Sequence, residues 1–137
     1  DPAKMEENNL RFQAKYRKIE ENEVRYEEFH CDDAEYLLVA FGSSARICQK
    51  VVEIARAEGI KLGLLRPITL WPFPKDAIKR AADHAKELLV VEMSMGQMVD
   101  DVRLAAECRV PVHFYGRTGG VIPTPKEILG EIDKLLK

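Results

Sequence analysis

Residues 36–44 read Tyr-Leu-Leu-Val-Ala-Phe-Gly-Ser-Ser, and their reading decides the fold. The apolar run is strand-sized, has no polar residue to turn toward water, and ends in a Gly-Ser-Ser turn. That is the pattern of a strand buried on both faces that passes directly into a helix. Ser43 or Ser44 is the natural N-cap of that helix. Ile47, Val51, Ile54 and Ala55 then recur at helical spacing, and Gly59 supplies the left-handed residue that stops the helix.

The same unit repeats toward the C-terminus. Ile60–Leu65 predicts a second buried strand. Residues 66–74 (Arg-Pro-Ile-Thr-Leu-Trp-Pro-Phe-Pro) contain Pro67, Pro72 and Pro74, which argues against helix and central strand and for a stiff loop leading to a helix near Lys75. That helix shows Ala77, Ile78, Ala81, Ala82 and Ala85 on one side. Leu88–Glu92 is a third strand, Met93–Gly96 a turn, and Gln97–Ala106 a helix with Met98, Val102 and Ala105 inward. Val110–Tyr115 is the last strand. In the final helix, Thr124 as N-cap, Pro125 at the first position and Glu127 three residues on form a capping box ahead of Ile128, Leu129, Ile132, Leu135 and Leu136. Four strand–helix units predict an α/β fold of three layers, α/β/α, around a mostly parallel sheet.

Toward the N-terminus the material changes. Val24–His30 alternates loosely, as an edge strand does, and adds a fifth, antiparallel strand. Met5, Phe12, Tyr16 and Ile19 draw one apolar stripe along a helix of about five turns. The stripe predicts packing on the rest of the domain, on a preceding part of a longer chain, or on both. Residues 1–35 hold 6 basic and 11 acidic of the chain's 21 and 23 charged residues, so an acidic lead-in precedes a mildly basic core. The expected division is a lead-in helix from a preceding domain over 1–22 and an α/β domain over 23–137.

At 137 residues the chain has room for one full domain. With 46% hydrophobic and 32% charged residues and a formal charge of −2, it has the composition of an ordinary globular protein. It lacks the basic surplus of a nucleic-acid binder and the apolar run of a membrane span. Cys31, Cys48 and Cys108 are too few and too far apart for a disulfide framework or a Cys-x-x-Cys metal motif, which leads to the expectation of reduced, cytoplasmic residence. The Asp1-Pro2 start has neither initiator Met nor signal segment, and reads as that of a piece of something longer.

In parallel α/β sheets, functional groups collect beyond the carboxyl ends of the strands. Here those ends carry Gly42-Ser43-Ser44, Arg66-Pro67, Glu92-Met93-Ser94 and Gly116-Arg117. Ser43, Ser44, Arg117 and Gly119 are candidates to hold an anionic group, through helix-start N–H groups, two hydroxyls and a guanidinium. The bland alternative is a serine cap and a glycine-rich loop, because neither a dinucleotide fingerprint nor a P-loop is present. Glu92 is either a partly desolvated acid–base group or a structural carboxylate bonded to Arg66 or to turn N–H groups. His30, His84 and His113 lie on different elements without ligand spacing, so no metal site and no catalytic residue is expected. Trp71, Phe73, Met93 and Met95 gather near one edge of the sheet and either fold inward or meet a partner.

Several stretches together carry a resemblance: EYLLVAFGSSARI (35–47), GIKLGLLRPITLWPFP (59–74), LLVVEMSMGQMVDDVRLA (88–105) and VPVHFYGRTGGVIPTPKEIL (110–129). Over about residues 24–137 the chain resembles the C-terminal part of the alpha subunit of 2-oxoacid:ferredoxin oxidoreductases of the ketoisovalerate and 2-oxoglutarate type. The order of elements is similar to the C-terminal domain of transketolase, which implies a five-stranded mixed sheet with an antiparallel edge strand. The resemblance implies an oligomeric complex that converts a 2-oxoacid to an acyl-coenzyme A on thiamine diphosphate and magnesium, with electrons leaving through iron–sulfur clusters to ferredoxin. Implied partners are a beta subunit carrying thiamine diphosphate, and gamma and ferredoxin-like subunits. This chain has no Gly-Asp-Gly diphosphate motif and no cluster cysteines, so the expectation is a non-catalytic structural and assembly domain without a cofactor of its own. The alternative is a domain that binds an anionic ligand, such as a coenzyme A phosphate, at the strand ends.

Overall fold

Strand β2 (Tyr36–Val39) sits in the middle of a five-stranded sheet and is the reason the domain has two cores. In the computed structural model, which describes residues 1–137, the elements follow in the order α1 (Pro2–Asn22), β1 (Tyr26–Phe29), β2, α2 (Gly42–Ala57), β3 (Leu62–Pro67), α3 (Lys75–Ala82), β4 (Glu87–Glu92), α4 (Met98–Ala106), β5 (Val112–Gly116) and α5 (Pro125–Leu136). The sheet order is β1-β3-β2-β4-β5. Strands β3, β2, β4 and β5 are parallel, and β1 is antiparallel to β3 at the edge.

Register places Leu38 between Leu64 and Leu89. Because side chains alternate along a strand, Leu37, Val39, Leu88 and Val90 enter one core with α3 and α4, while Leu38, Ala40, Leu89 and Val91 enter the other with α2 and α5. None of these eight is more than 2% exposed. Each leucine so buried contributes about 2 kcal/mol of transfer free energy, which is why an all-apolar strand is stable only in this central place. The three-layer architecture, the mixed sheet and the antiparallel edge strand all match the expectation from sequence.

Two proline and glycine positions show how the layers close. Gly63 in β3 lies beneath the β1–β2 connection, where a β-carbon would stand 2.7 Å from the His30 carbonyl oxygen and 2.9 Å from the Ala34 β-carbon. Pro67, expected in the loop, is instead the last residue of β3, opposite Tyr26 of β1. Its neighbour Ile68 donates to the Arg25 carbonyl at 2.9 Å. That alternation turns the Pro67 nitrogen toward β2, whose pairing with β3 has already ended at Val39–Leu65, so no ladder bond is lost.

Helix α1 differs from the other four in burying no residue. Of its apolar stripe, Met5 remains 68% exposed and Phe12 45%. Only the second half of the helix reaches the domain, where the Tyr16 ring meets Trp71 edge-on at 5.7 Å.

Candidate functional site

The carboxyl ends of β2 and β4 are adjacent because β4 pairs directly with β2. Phe41, Gly42, Ser43 and Ser44 from one end and Glu92, Met93, Ser94 and Gln97 from the other line a cavity of about 250 Å³. Glu92, the last residue of β4, is 2% exposed. Its carboxylate accepts hydrogen bonds from the backbone N–H groups of Gln97 (3.2 Å), Met98 (2.9 Å) and Val99 (3.1 Å), and from the Ser94 hydroxyl at 3.4 Å. These are the groups that the start of α4 leaves without helical acceptors, and a carboxylate is also the charge that a helix start favours. Of the alternatives open for Glu92, the structure selects the bond to turn N–H groups. Arg66 pairs with Glu27 across the β1–β3 ladder at 3.1 Å. A carboxylate saturated in this way holds the β4–α4 turn together and has no free lone pair for a substrate.

Neither serine caps α2. The helix begins at Gly42 with φ +57°, its N-cap is Phe41, and no side chain accepts from the first turn. Ser43 is exposed, and Ser44 lies inside the helix with 4% exposure. The expectation of a serine cap fails because the left-handed turn falls at Gly42, one residue before the serines, so both hydroxyls are carried past the capping position.

The other two anion candidates are occupied or remote. Arg117 Nη1 donates to Glu127 Oε1 at 2.7 Å, and bonding to Tyr115, then to Glu127, pushes its pKa further up. Glu127 also accepts from the Thr124 N–H at 2.6 Å, completing the capping box of α5. That N–H, then the Thr124 hydroxyl and the Arg117 guanidinium, hold the Glu127 carboxyl below its usual range. Gly119 is exposed, with φ +65°, in the loop beyond β5. Ser43 and Ser44 share a cavity with Glu92, whereas Arg117 is committed to Glu127.

Of the apolar candidates, Phe73 takes the inward alternative at 7% exposure, packed in the core with α3 and α4. Trp71 is 56% exposed, Met93 41% and Met95 83%. Trp71 borders a groove of about 610 Å³ between the last turns of α1 and the start of α3, lined among others by Arg17, Pro72, Lys75 and Arg80. Sequence reasoning did not find this groove, since it depends on where α1 lies against the proline loop. The cavity joining Ser44 to Glu92 was equally hidden, because adjacency of β2 and β4 is a property of the sheet order.

The side chains of this chain do not fit a metal ion or an iron–sulfur cluster. No three His, Cys, Asp or Glu side chains are disposed to hold a metal ion. Cys31 is half-buried, with its thiol 3.2 Å from the Leu64 carbonyl oxygen; Cys48 is buried and Cys108 exposed. Burial pushes the Cys31 thiol up to about 11 and the Cys48 thiol up to about 12, the direction opposite to that of a ligand thiolate. No helix is long and apolar enough to cross a membrane.

Comparison with known proteins identifies the family. Residues 34–128 match the family described as pyruvate:ferredoxin oxidoreductase core domain II. The chain is 51% identical over 132 residues to the ketoisovalerate oxidoreductase subunit VorB of Methanothermobacter thermautotrophicus, a match covering 96% of this chain and 37% of the relative. The chain thus spans little more than a third of that relative's length. Among solved structures, the whole chain superposes on 24% of the 2-oxoglutarate:ferredoxin oxidoreductase of Magnetococcus marinus, with a TM-score of 0.86 and 22% identity. A split-gene transketolase, described as an inactive β4 tetramer, matches 82% of this chain and 41% of its own, with a TM-score of 0.68 and 17% identity. These two likenesses concern the fold. With its family match running from the turn before β2 into the first turns of α5, the chain belongs to the pyruvate:ferredoxin oxidoreductase core domain II family.

Proposed function

We propose that the chain serves as a non-catalytic structural and assembly domain in a 2-oxoacid:ferredoxin oxidoreductase. The observation that carries this reading is the state of the sheet's carboxyl edge. Where an α/β enzyme keeps its reacting groups, this domain has a carboxylate saturated by helix N–H groups and an arginine bonded to a capping glutamate. The same edge leaves Trp71, Met93 and Met95 in solvent, and such soft or aromatic groups suit a protein surface more than a substrate. Other segments and subunits of the oxidoreductase are the proposed occupants of that surface.

In this reading the complete assembly oxidatively decarboxylates a 2-oxoacid to an acyl-coenzyme A, with thiamine diphosphate, magnesium and iron–sulfur clusters on other parts and ferredoxin as electron acceptor, in the cytoplasm. The residues of this chain take no step in that chemistry. They hold a rigid edge against which the catalytic parts are placed. Helix α1, which meets the domain through Tyr16 and its last turns and buries no residue fully, serves as the connection to the preceding part of the subunit.

The purified chain, supplied with 2-oxoacids, coenzyme A and a viologen acceptor, is expected to fold and to show no turnover. Reduction of the viologen by the chain alone would overturn the reading. In the complete subunit, Met95→Glu together with Trp71→Ala is expected to reduce recovery of the assembled complex while leaving this domain folded.

A further inference from the structure

We propose that the cavity between β3 and α2 binds a carboxylate group through Arg66 and Arg46. The site does not rest on the assembly role, and either can fail without the other.

Arg66 is the next-to-last residue of β3, at the carboxyl end of a parallel strand, and the register sets it beside Glu27 of β1. Its guanidinium is only partly used. Nη1 donates to Glu27 Oε2 at 3.1 Å. Nε is closed to water and donates to nothing, and it is the only buried side-chain polar atom left without a partner. A donor that has given up water without gaining an acceptor is costly, and native proteins keep few of them. An arginine present only to pair with Glu27 would need Nη1 alone, and a lysine would serve that edge ion pair as well.

Nε and Nη2 together form the edge of a guanidinium that a carboxylate takes with both oxygens at once. Glu27, on Nη1, leaves that edge without an acceptor. Nη2 is not among the buried atoms, and the Arg66 side chain is 39% exposed. A carboxylate arriving at Nη2 from solvent carries its second oxygen to Nε.

A second guanidinium stands on the opposite wall. Arg66 and Glu27 on the sheet face Arg46 and Gln49 on α2 across a cavity of about 270 Å³, with Phe29 and Leu64 as apolar floor. Arg46 and Gln49 are three residues apart and so share one side of the helix. The ion pairs of α2 are Lys50–Glu53 and Arg56–Asp33, so the charge of Arg46 is uncompensated. Charge then selects the ligand. Arg46 and Arg66 against Glu27 leave one positive charge on the walls. Glu28 does not cancel it, because alternation along β1 puts its side chain on the face of Tyr26, opposite to that of Glu27 and Phe29. A singly charged carboxylate balances the walls, whereas a doubly charged phosphate would meet Glu27 with charge to spare. The volume is below that of pockets for drug-sized molecules and suits a carboxylate on a short hydrocarbon body.

The test is a titration of the ¹⁵N-labelled chain with propionate, with N-acetylglutamate amide, which carries the same group on a peptide, and with inorganic phosphate, at constant pH and ionic strength. A saturable shift of the Arg66 Nε–H signal, together with the amides of residues 46 and 49, is expected with at least one of the two carboxylates at a dissociation constant in the millimolar range. The tighter of the two tells a small acid from an acidic side chain of another protein. Arg66→Lys, which keeps the charge and the pairing with Glu27 but removes the two-nitrogen edge, is expected to weaken binding about tenfold. Arg46→Gln is expected to weaken it about fivefold, and Glu27→Gln, which removes the opposing charge, to tighten it about threefold. Damage to the fold would not produce that gain. Absence of saturable shifts at about 100 mM of both carboxylates, where a millimolar site is filled, overturns the proposal. So does tighter binding of phosphate than of either carboxylate, unchanged affinity in Arg66→Lys, or weaker binding in Glu27→Gln.

Discussion

The Glu92 carboxylate accepts the backbone N–H of Met98 at 2.9 Å, so the end of β4 and the start of α4 are joined by a buried charge-assisted bond six residues apart in the chain. With Gln97 and Val99 donating to the same group, Glu92 does for α4 what an N-cap does elsewhere, from inside the protein. Glu92→Gln turns one acceptor oxygen into a donor that faces N–H groups. We expect a loss of about 2–3 kcal/mol in urea unfolding, with Glu92→Ala at least as costly. A variant as stable as the parent would show that the carboxylate is dispensable to the turn.

Gly63 leaves no room for a side chain, since its β-carbon would press on the His30 carbonyl and Ala34. The His30 contact is with backbone and cannot rotate away. Gly63→Ala is therefore expected to destabilise the chain by about 2 kcal/mol, read as a lower urea midpoint at unchanged slope. Gly130→Ala, with nothing within 4 Å of its β-carbon, is the control and is expected to stabilise α5 slightly.

Helix α1 is secured by the Tyr16–Trp71 contact near its C-terminal half and by little else. Hydrogen exchange on the isolated chain is expected to show residues 4–12 exchanging far faster than α2, whose Val51, Val52 and Ala55 are fully buried. Trp71→Ala is expected to extend the fast exchange toward Glu20 while leaving the sheet protected. Equal protection along α1 and α2 would contradict this.

Burial of the Cys48 and Cys31 thiols makes the fold less stable as pH rises into the alkaline range. Their folded-state values of about 12 and about 11 lie above the ordinary thiol value of 9.0. The unfolded chain therefore releases these protons first as pH rises, and the stability they contribute, complete below pH 9, is lost progressively above it. Urea midpoints at pH 8 and pH 10.5 are expected to differ, and Cys48→Ala to narrow the difference. At pH 8 a thiol reagent is expected to modify exposed Cys108 rapidly and Cys48 only on unfolding.

How far the sequence carried depended on the range of the interactions involved. The Thr124–Glu127 capping box could be read directly, because all its bonds close within four residues. The strand at 36–39 was equally legible, since a run with no polar side is stable only when covered on both faces. Pro67 was misplaced because which neighbour its nitrogen faces depends on the β1–β3 register, set by residues forty positions away. Trp71 and Phe73 differ little in chemistry, and only the position of α3 puts one in the core and the other in water. The Ser43 and Ser44 assignment failed on a single dihedral, the positive φ of Gly42. The Arg117–Glu127 bond spans a glycine loop whose path no local pattern predicts.

The sheet order has a consequence during synthesis. Strand β2 is made before either of its neighbours and receives the second only when β4, at residues 87–92, has been added. A ribosome that has released the chain through Pro67 presents β1, β3 and β2 with the outer edge of Tyr36–Val39 bare and two apolar faces half covered. Such an edge is an open template for pairing with another nascent chain. Across the roughly twenty residues before β4 emerges, the elongation rate decides how long that edge stays open.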